Sequence, residues 1–163
     1  MRIALIADTH MPRGRRELPA RCVDLLRRSD LIVHAGDWST REIVEHVRAL
    51  GPPVHGVAGN VDSADVRAEL PGETVLEIMG VALAVTHDAG PRAGRLARMR
   101  RRFPAADAVV FGHSHIPLHE QDETGFQIFN PGSPTERRRS PAHTMGIALI
   151  RDGAVTFELV TLD

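Results

Sequence analysis

The sequence predicts an α/β fold: two packed mixed sheets flanked by helices, a four-layer α-β-β-α sandwich built by one domain over residues 1–163. Three observations predict it. Short apolar strands alternate with amphipathic helices as far as Leu70, the pattern of parallel strands joined by crossover helices. Beyond Pro71 the pattern changes to a hairpin and short strands punctuated by turn residues, so the second half is more antiparallel. Asp, His and Asn interrupt the chain at one strand end after another. The length suits one domain with a substantial core.

In order along the chain, Arg2 to Ala7 is a short apolar run with β-branched residues, bounded by Asp8, and reads as a buried strand. Glu17 to Arg28 has helical spacing, with Pro19 tolerated in the first turn. Leu31 to His34 is a second buried strand. Ser39-Thr40-Arg41-Glu42 forms a capping box ahead of Ile43, Val44, Val47 and Leu50, and Gly51 with Pro52-Pro53 stops that helix. Val54 to Ala58 is a third strand and Asp62 to Leu70 a short helix. Thr74 to Met79 and Val81 to Thr86 flank Gly80 as a hairpin, and a basic helix follows from Pro91 to Phe103. Strands are expected at Ala108–Phe111, Ile116–Gln121, Gly125–Asn130, Thr144–Ile150 and Ala154–Leu159.

Composition narrows the function. Twenty basic residues, all of them Arg, against 21 acidic ones leave a net charge of −1. That balance argues against a general nucleic-acid or membrane-surface binder, which needs a positive excess. Cys22 is the only cysteine, so a disulfide framework and a thiolate zinc site are both excluded. It lies among Leu18, Leu25 and Leu26 at helical spacing and reads as a buried structural thiol. No apolar run approaches the ~20 residues of a bilayer span, and Ile3 to Ala7 is too short for a signal-peptide core. Cytoplasm is the expected location.

The chemistry lies at the strand ends: Asp8-Thr9-His10, Gly36-Asp37, Gly59-Asn60, Thr86-His87 and Gly112-His113-Ser114-His115. In open α/β sheets, ligands bind outside the carboxyl ends of the strands. Two Asp, one Asn and four His offer oxygen and imidazole donors without sulfur, which suits Mn²⁺, Fe, Zn²⁺ or Ni²⁺. The glycines before Asp37, Asn60 and His113 fit tight turns that present the next side chain.

The ordered string Asp-x-His, Gly-Asp, Gly-Asn-x-Asp, His, Gly-His-x-His resembles the calcineurin-like metallophosphoesterase superfamily. It is most similar to small phosphodiesterases of the YfcE type, a likeness extended by Asn130-Pro131-Gly132-Ser133. The resemblance implies a binuclear phosphodiesterase that hydrolyses small phosphodiesters by in-line attack of a hydroxide bridging two divalent metals, Mn²⁺ foremost. It implies one metal on Asp8, His10, Asp37 and His115, and a second on Asp37, Asn60, His87 and His113. Asp37, Asn60 and His87 are the expected catalytic residues, and Asn60, Arg137 and Trp38 the expected substrate contacts.

The chain departs from the family pattern in three places. Val61 stands where many members carry a proton-donating His and YfcE-type members often a Cys, although Asp62 is retained. Trp38-Ser39-Thr40 follows Asp37 without the usual second Asp, and Asp88-Ala89 replaces the common Gly-His after His87. Asp88 suits either a turn or a contact that orients His87 or a substrate hydroxyl. Trp38 suits either stacking on a base or aryl group or packing beneath its loop. His34 and His55 read as core histidines or supports of the ligands, and His46, His119 and His143 as surface residues. The run Arg98, Arg100, Arg101, Arg102 reads as a solvated helix face, whereas one of Arg137-Arg138-Arg139 is placed to clamp a phosphate oxygen.

A small phosphodiester or nucleotide is the expected substrate, with no stable nucleic-acid or membrane partner. The relatives suggest a homo-oligomer. The alternatives are a nuclease on single-stranded nucleic acid and a non-catalytic protein-interaction scaffold of the same fold.

Overall fold

The computed structural model describes residues 1–163. Strands β1 (Arg2–Ile6), β2 (Leu31–His34) and β3 (Val54–Gly56) run parallel, joined through helices α1 (Ala20–Arg27) and α2 (Arg41–Arg48). Helix α3 (Ala64–Glu69) leads to the hairpin β4 (Glu73–Ile78) and β5 (Val81–Thr86), and α4 (Arg95–Arg102) leads to β6 (Ala108–Val110). The chain ends through β7 (Leu118–Gln121), β8 (Gln127–Asn130), β9 (Thr144–Arg151) and β10 (Ala154–Thr161). They form two five-stranded sheets, ordered β10-β9-β1-β2-β3 and β4-β5-β6-β8-β7. Both are mixed. β9 lies antiparallel to β1 and β10, while β5, β6 and β8 are parallel with antiparallel strands at both edges.

Side-chain alternation along the strands builds the layers. Ile3, Leu5 and Ala7 face the inter-sheet core with Val81, Leu83, Val85, Val110 and Phe129. Ala4 and Ile6 point the other way, onto Cys22 and Leu26 of α1 and Val44 and Val47 of α2. Across the molecule Ala84, Val109 and Ile128 pack on Met99 and Phe103 at α4. The result is the expected α-β-β-α sandwich, each fully buried aliphatic side chain contributing about 1.5–3 kcal/mol.

The differences from expectation lie at element ends. Pro19 caps α1 from outside rather than sitting in its first turn. Thr40, not Ser39, is the N-cap of α2, and no side-chain capping bond forms. Ser39 has φ 93° and its N–H donates to Asp62 at 2.7 Å, which takes it out of capping geometry. Helix α4 starts after Gly94 rather than at Pro91, because Arg98 gathers the carbonyls of Ala89, Pro91 and Ala93 into a loop. Ile116 and Pro117 stay outside β7, and β8 begins at Gln127 rather than Gly125. His55, expected in the core or supporting a ligand, is exposed because β3 is an edge strand.

The two sheets meet at the end where the interrupting residues lie. Asp8 N–H donates to Gly36 C=O at 2.9 Å, His10 N–H to Asp37 C=O at 3.0 Å, and Gly112 N–H to His87 C=O at 3.0 Å. These bonds extend the sheets beyond their last paired residues and bring the loops together.

Candidate metal centre

Asp8, His10, Asp37, His113 and His115 all have positive φ, from 45° to 68°. This left-handed region costs a residue with a side chain on the order of 1–2 kcal/mol. Of the glycines that precede ligand positions, only Gly36 has positive φ, at 90°. Gly59 and Gly112 serve through the missing Cβ. One at Gly59 would run into the Asp37 carboxylate, and one at Gly112 would lie 2.9 Å from Asp8 Oδ2 and 2.8 Å from the Ala7 side chain.

The structure brings the seven expected ligand residues into two adjoining sets. In the inner set, Nε2 of His10 faces Nε2 of His115 at 3.1 Å, with Asp8 Oδ1 at 3.6 Å from His115. Asp8, His10 and His115 are buried. In the outer set, Asn60 Oδ1 lies 3.0 Å from both His87 Nε2 and His113 Nδ1. Asn60 and His113 are exposed, so this set opens to solvent. Asp37 Oδ2 stands between the sets, 3.5 Å from His10 Nε2 and 3.3 Å from His87 Nε2. Its Oδ1 accepts the Val61 N–H at 3.0 Å, which fixes the carboxylate's orientation.

These residues suit a cation. His115 donates Nδ1–H to Glu136 C=O at 2.6 Å, and His87 donates Nδ1–H to Ala35 C=O at 2.8 Å, so in the neutral rings Nε2 is left as a lone pair pointing inward. The His87 lone pair then faces two acceptors, Asp37 Oδ2 and Asn60 Oδ1. A proton or a metal ion is needed among them. Two ring nitrogens at 3.1 Å match the spacing of about 3 Å for ligands at right angles on one cation. Asp8 Oδ2 is buried without any hydrogen-bond partner, a group that a protein rarely leaves unpaired.

Burial pushes the Asp8 carboxyl up to about 7 and brings the His115 imidazole down to about 4. It also lowers His10. For Asp37, burial opposes ionisation, but the hydrogen bond and charge of His87 outweigh it and hold the carboxyl at about 2. His87 is raised, because Asp37 overcomes its own desolvation. Without metal the site therefore holds protons at Asp8 and toward His87, which a cation has to displace.

The calcineurin-like phosphoesterase superfamily domain matches residues 1–153. The chain belongs to the calcineurin-like phosphoesterase superfamily. A probable metallophosphoesterase of Methanocaldococcus jannaschii is 35% identical over 141 residues, covering 85% of this chain and 70% of that protein. A second, from Methanothermobacter thermautotrophicus, is 32% identical over 147 residues, covering 89% of this chain and 84% of that one. Among solved structures, Vps29 of Entamoeba histolytica shares the fold with a TM-score of 0.79 at 23% identity, over 100% of both chains. An archaeal phosphodiesterase shares it with a TM-score of 0.71 at 19% identity, over 98% of this chain and 100% of that one.

Two substrate contacts expected of this calcineurin-like phosphoesterase are corrected by the structure. Trp38 is fully buried, stacked on His34 at 3.6 Å with its Nε1–H on Val57 C=O, so it packs beneath the loop and cannot reach a substrate. Arg137 donates to Pro141 C=O at 2.8 Å within its own turn. Arg138, with φ 47°, is the arginine on the site side, its guanidinium 3.4 Å from His113 C=O. Asp88 accepts the Gly90 N–H at 2.7 Å, which is the turn reading. Arg98 and Arg102 bind loop carbonyls and Glu73, and Arg100 lies over Phe126. The Cys22 thiol is buried and pushed up to about 12 by desolvation.

Supporting residues complete the candidate metal centre. His34 accepts the Gly36 N–H and bonds Thr9 Oγ1 at 3.1 Å beneath the loops, and burial keeps its ring neutral. Asp62 accepts N–H groups from Ser39 and Gly59, Asn130 donates to Gly112 C=O, and Ser133 Oγ donates to Asp8 C=O at 2.7 Å. Sequence reasoning missed Glu136 and Arg16. The Glu136 carboxylate lies 3.9 Å from His10 Nε2 and pairs with Arg16 at 3.1 Å. No periodicity or spacing marks either residue.

Proposed function

We propose that this chain is a phosphodiesterase that hydrolyses small phosphodiesters at a centre of two divalent cations, with Mn²⁺ the first candidate. Asp8, His10, Asp37 and His115 would hold one cation, and Asp37, Asn60, His87 and His113 the other. The observation that carries this reading is Asp37 Oδ2, which lies within 3.5 Å of ring nitrogens from both sets and is the natural shared ligand. Cations bound there supply Lewis acidity, which makes water nucleophilic at neutral pH and takes up charge on phosphoryl oxygens.

The chain's own residues supply the rest. The exposed outer set leaves room for the phosphoryl group beside Asn60 and His113. Arg138, rather than Arg137, would hold a non-bridging oxygen across His113, a reading supported by its guanidinium 3.4 Å from His113 C=O. The buried inner set excludes bulk water from one side of the reacting centre. Near-neutral net charge favours a small substrate over a nucleic-acid strand. The likeness to Vps29 is a likeness of fold, and the two relatives named probable metallophosphoesterases support catalysis over a scaffold role.

The test is hydrolysis of an aryl phosphodiester and the matching monoester, with and without Mn²⁺, by the wild-type chain and Asp37→Ala. Metal-dependent cleavage of the diester, lost in the variant, is expected. A wild-type chain that binds two cations but cleaves neither ester would count against the diester assignment.

A further inference from the structure

We propose that Glu136 is a further ligand of the inner cation position, which then has three carboxylates instead of two. The inference rests on the metal-dependent reading above and adds one residue to it. Four polar atoms surround Nε2 of His10: His115 Nε2 at 3.1 Å, Asp37 Oδ2 at 3.5 Å, Glu136 Oε2 at 3.9 Å and Asp8 Oδ1 at 4.0 Å. Two ligands of one cation lie about 3 to 4.2 Å apart for bonds of about 2.1 Å, according to the angle between them. Each of the four atoms falls in that range from His10 Nε2; Asp8, His10 and His115 also lie within 4.8 Å of one another, and Glu136 joins that group through its distance to His10. Glu136 is no farther from His10 than Asp8 is.

The carboxylate is also held in position. Its Oε1 accepts from Arg16 at 3.1 Å, which leaves Oε2 as the oxygen turned toward His10. The backbone of the same residue is fastened to the inner set. Glu136 C=O accepts the Nδ1–H of His115, and Glu136 N–H donates at 2.9 Å to Ser133 Oγ, which in turn donates to Asp8 C=O. The Glu136 side chain keeps 27% of its exposure while those of Asp8 and His115 keep none, so it closes the inner set on its solvent side. An ion pair with Arg16 alone is worth about 0–1 kcal/mol at such a surface and gives no reason for the second oxygen to face a histidine. A third carboxylate shifts the donor set toward oxygen and so toward Mn²⁺ over Zn²⁺.

The test is equilibrium dialysis of the metal-free full chain against Mn²⁺, with Glu136→Gln and Glu136→Ala beside the wild type, and thermal unfolding of each metal-free protein. The wild type is expected to bind two Mn²⁺. Both variants should lose at least about tenfold in affinity at one position, keep the other, and unfold without metal at the wild-type temperature. Wild-type affinity at both positions in the two variants would overturn the role of Glu136 and leave the metal-dependent reading intact. A wild-type chain that binds no Mn²⁺ would overturn both.

Discussion

Five residues that face the candidate metal centre share a backbone conformation unfavourable to any side chain larger than hydrogen. At Asp37 and Asp8 the facing glycines, Gly59 and Gly112, leave room for the carboxylates. At Gly59 a methyl group has nowhere to go, since the Asp37 carboxylate and backbone N–H occupy the space. Gly59→Ala is therefore expected to destabilise the fold by about 1–3 kcal/mol and to displace Asp37, measured by urea unfolding and Mn²⁺ titration. Unchanged midpoint and affinity would show that the loop yields freely. Val61 supplies a second prediction at this scale. It lies 37% exposed beside Asn60 and has no proton to give a leaving group. Rates should therefore fall steeply as leaving-group pKa rises across a series of aryl and alkyl diesters. Val61→His should flatten that slope, general-acid help being worth about 10²–10⁴-fold. A flat slope in the wild type would contradict it. Asp37, Asn60 and His113 were legible in the sequence because each polar residue follows a strand and a glycine. Arg138 was not. Its choice over Arg137 turns on one residue with φ 47°, which no composition or spacing reveals. Glu136 was hidden for a related reason, since its nearness to His10 depends on how two distant loops pack.

At the scale of elements, strands deliver the candidate ligands but side-chain ties between loops hold them together. Asp62 is the clearest tie. One oxygen accepts the Ser39 N–H after β2 and the other accepts the Gly59 N–H after β3, at 2.7 and 2.6 Å. Burial raises this carboxyl, and the two N–H bonds act against that shift. Asp62→Ala leaves both donors without a partner in a confined space, a cost of roughly 1–3 kcal/mol for each if water does not replace it. The expected result is a clear drop in unfolding free energy, with weaker Mn²⁺ binding because Asp37 and Asn60 flank the two anchored amides. A loss confined to stability, with metal affinity intact, would mean that each loop holds its own shape. The strands and their order of burial were readable from apolar runs and alternation. The helix starts were not: Pro19 and Gly94 each stand at a boundary where a longer periodic pattern suggested an earlier beginning. Ser39 looked like a cap by its spacing to Glu42, but the tie to Asp62 takes its N–H and turns it into a left-handed residue.

For the whole molecule, the candidate metal centre joins the two sheets, so cation binding there would be linked to global stability. The sign of the pH dependence follows from Asp8. Its folded carboxyl is raised to about 7 from 3.8, so its contribution to metal-free stability is fully present below the unfolded value and is lost as pH rises through 7. Asp37 acts oppositely, stabilising above 3.8 and losing that contribution as pH falls toward 2, which leaves it charged throughout the working range. A cation held there would need the Asp8 carboxylate, so metal and proton would compete, and the raised His87 would add competition in the same direction. At pH 7.5, Mn²⁺ at a hundred times its Kd should stabilise the chain by about 2.7 kcal/mol, which for this size is roughly 5–10 °C in Tm. At pH 5.5 the Asp8 proton competes with the cation, so the same Mn²⁺ concentration should give a clearly smaller rise in Tm. Thermal scans at the two pH values, with Mn²⁺ and with a chelator, measure the difference directly. Asp8→Asn should abolish most of it, because an amide neither binds the competing proton nor supplies the charge. An equal shift at both pH values would place the metal somewhere that Asp8 does not reach.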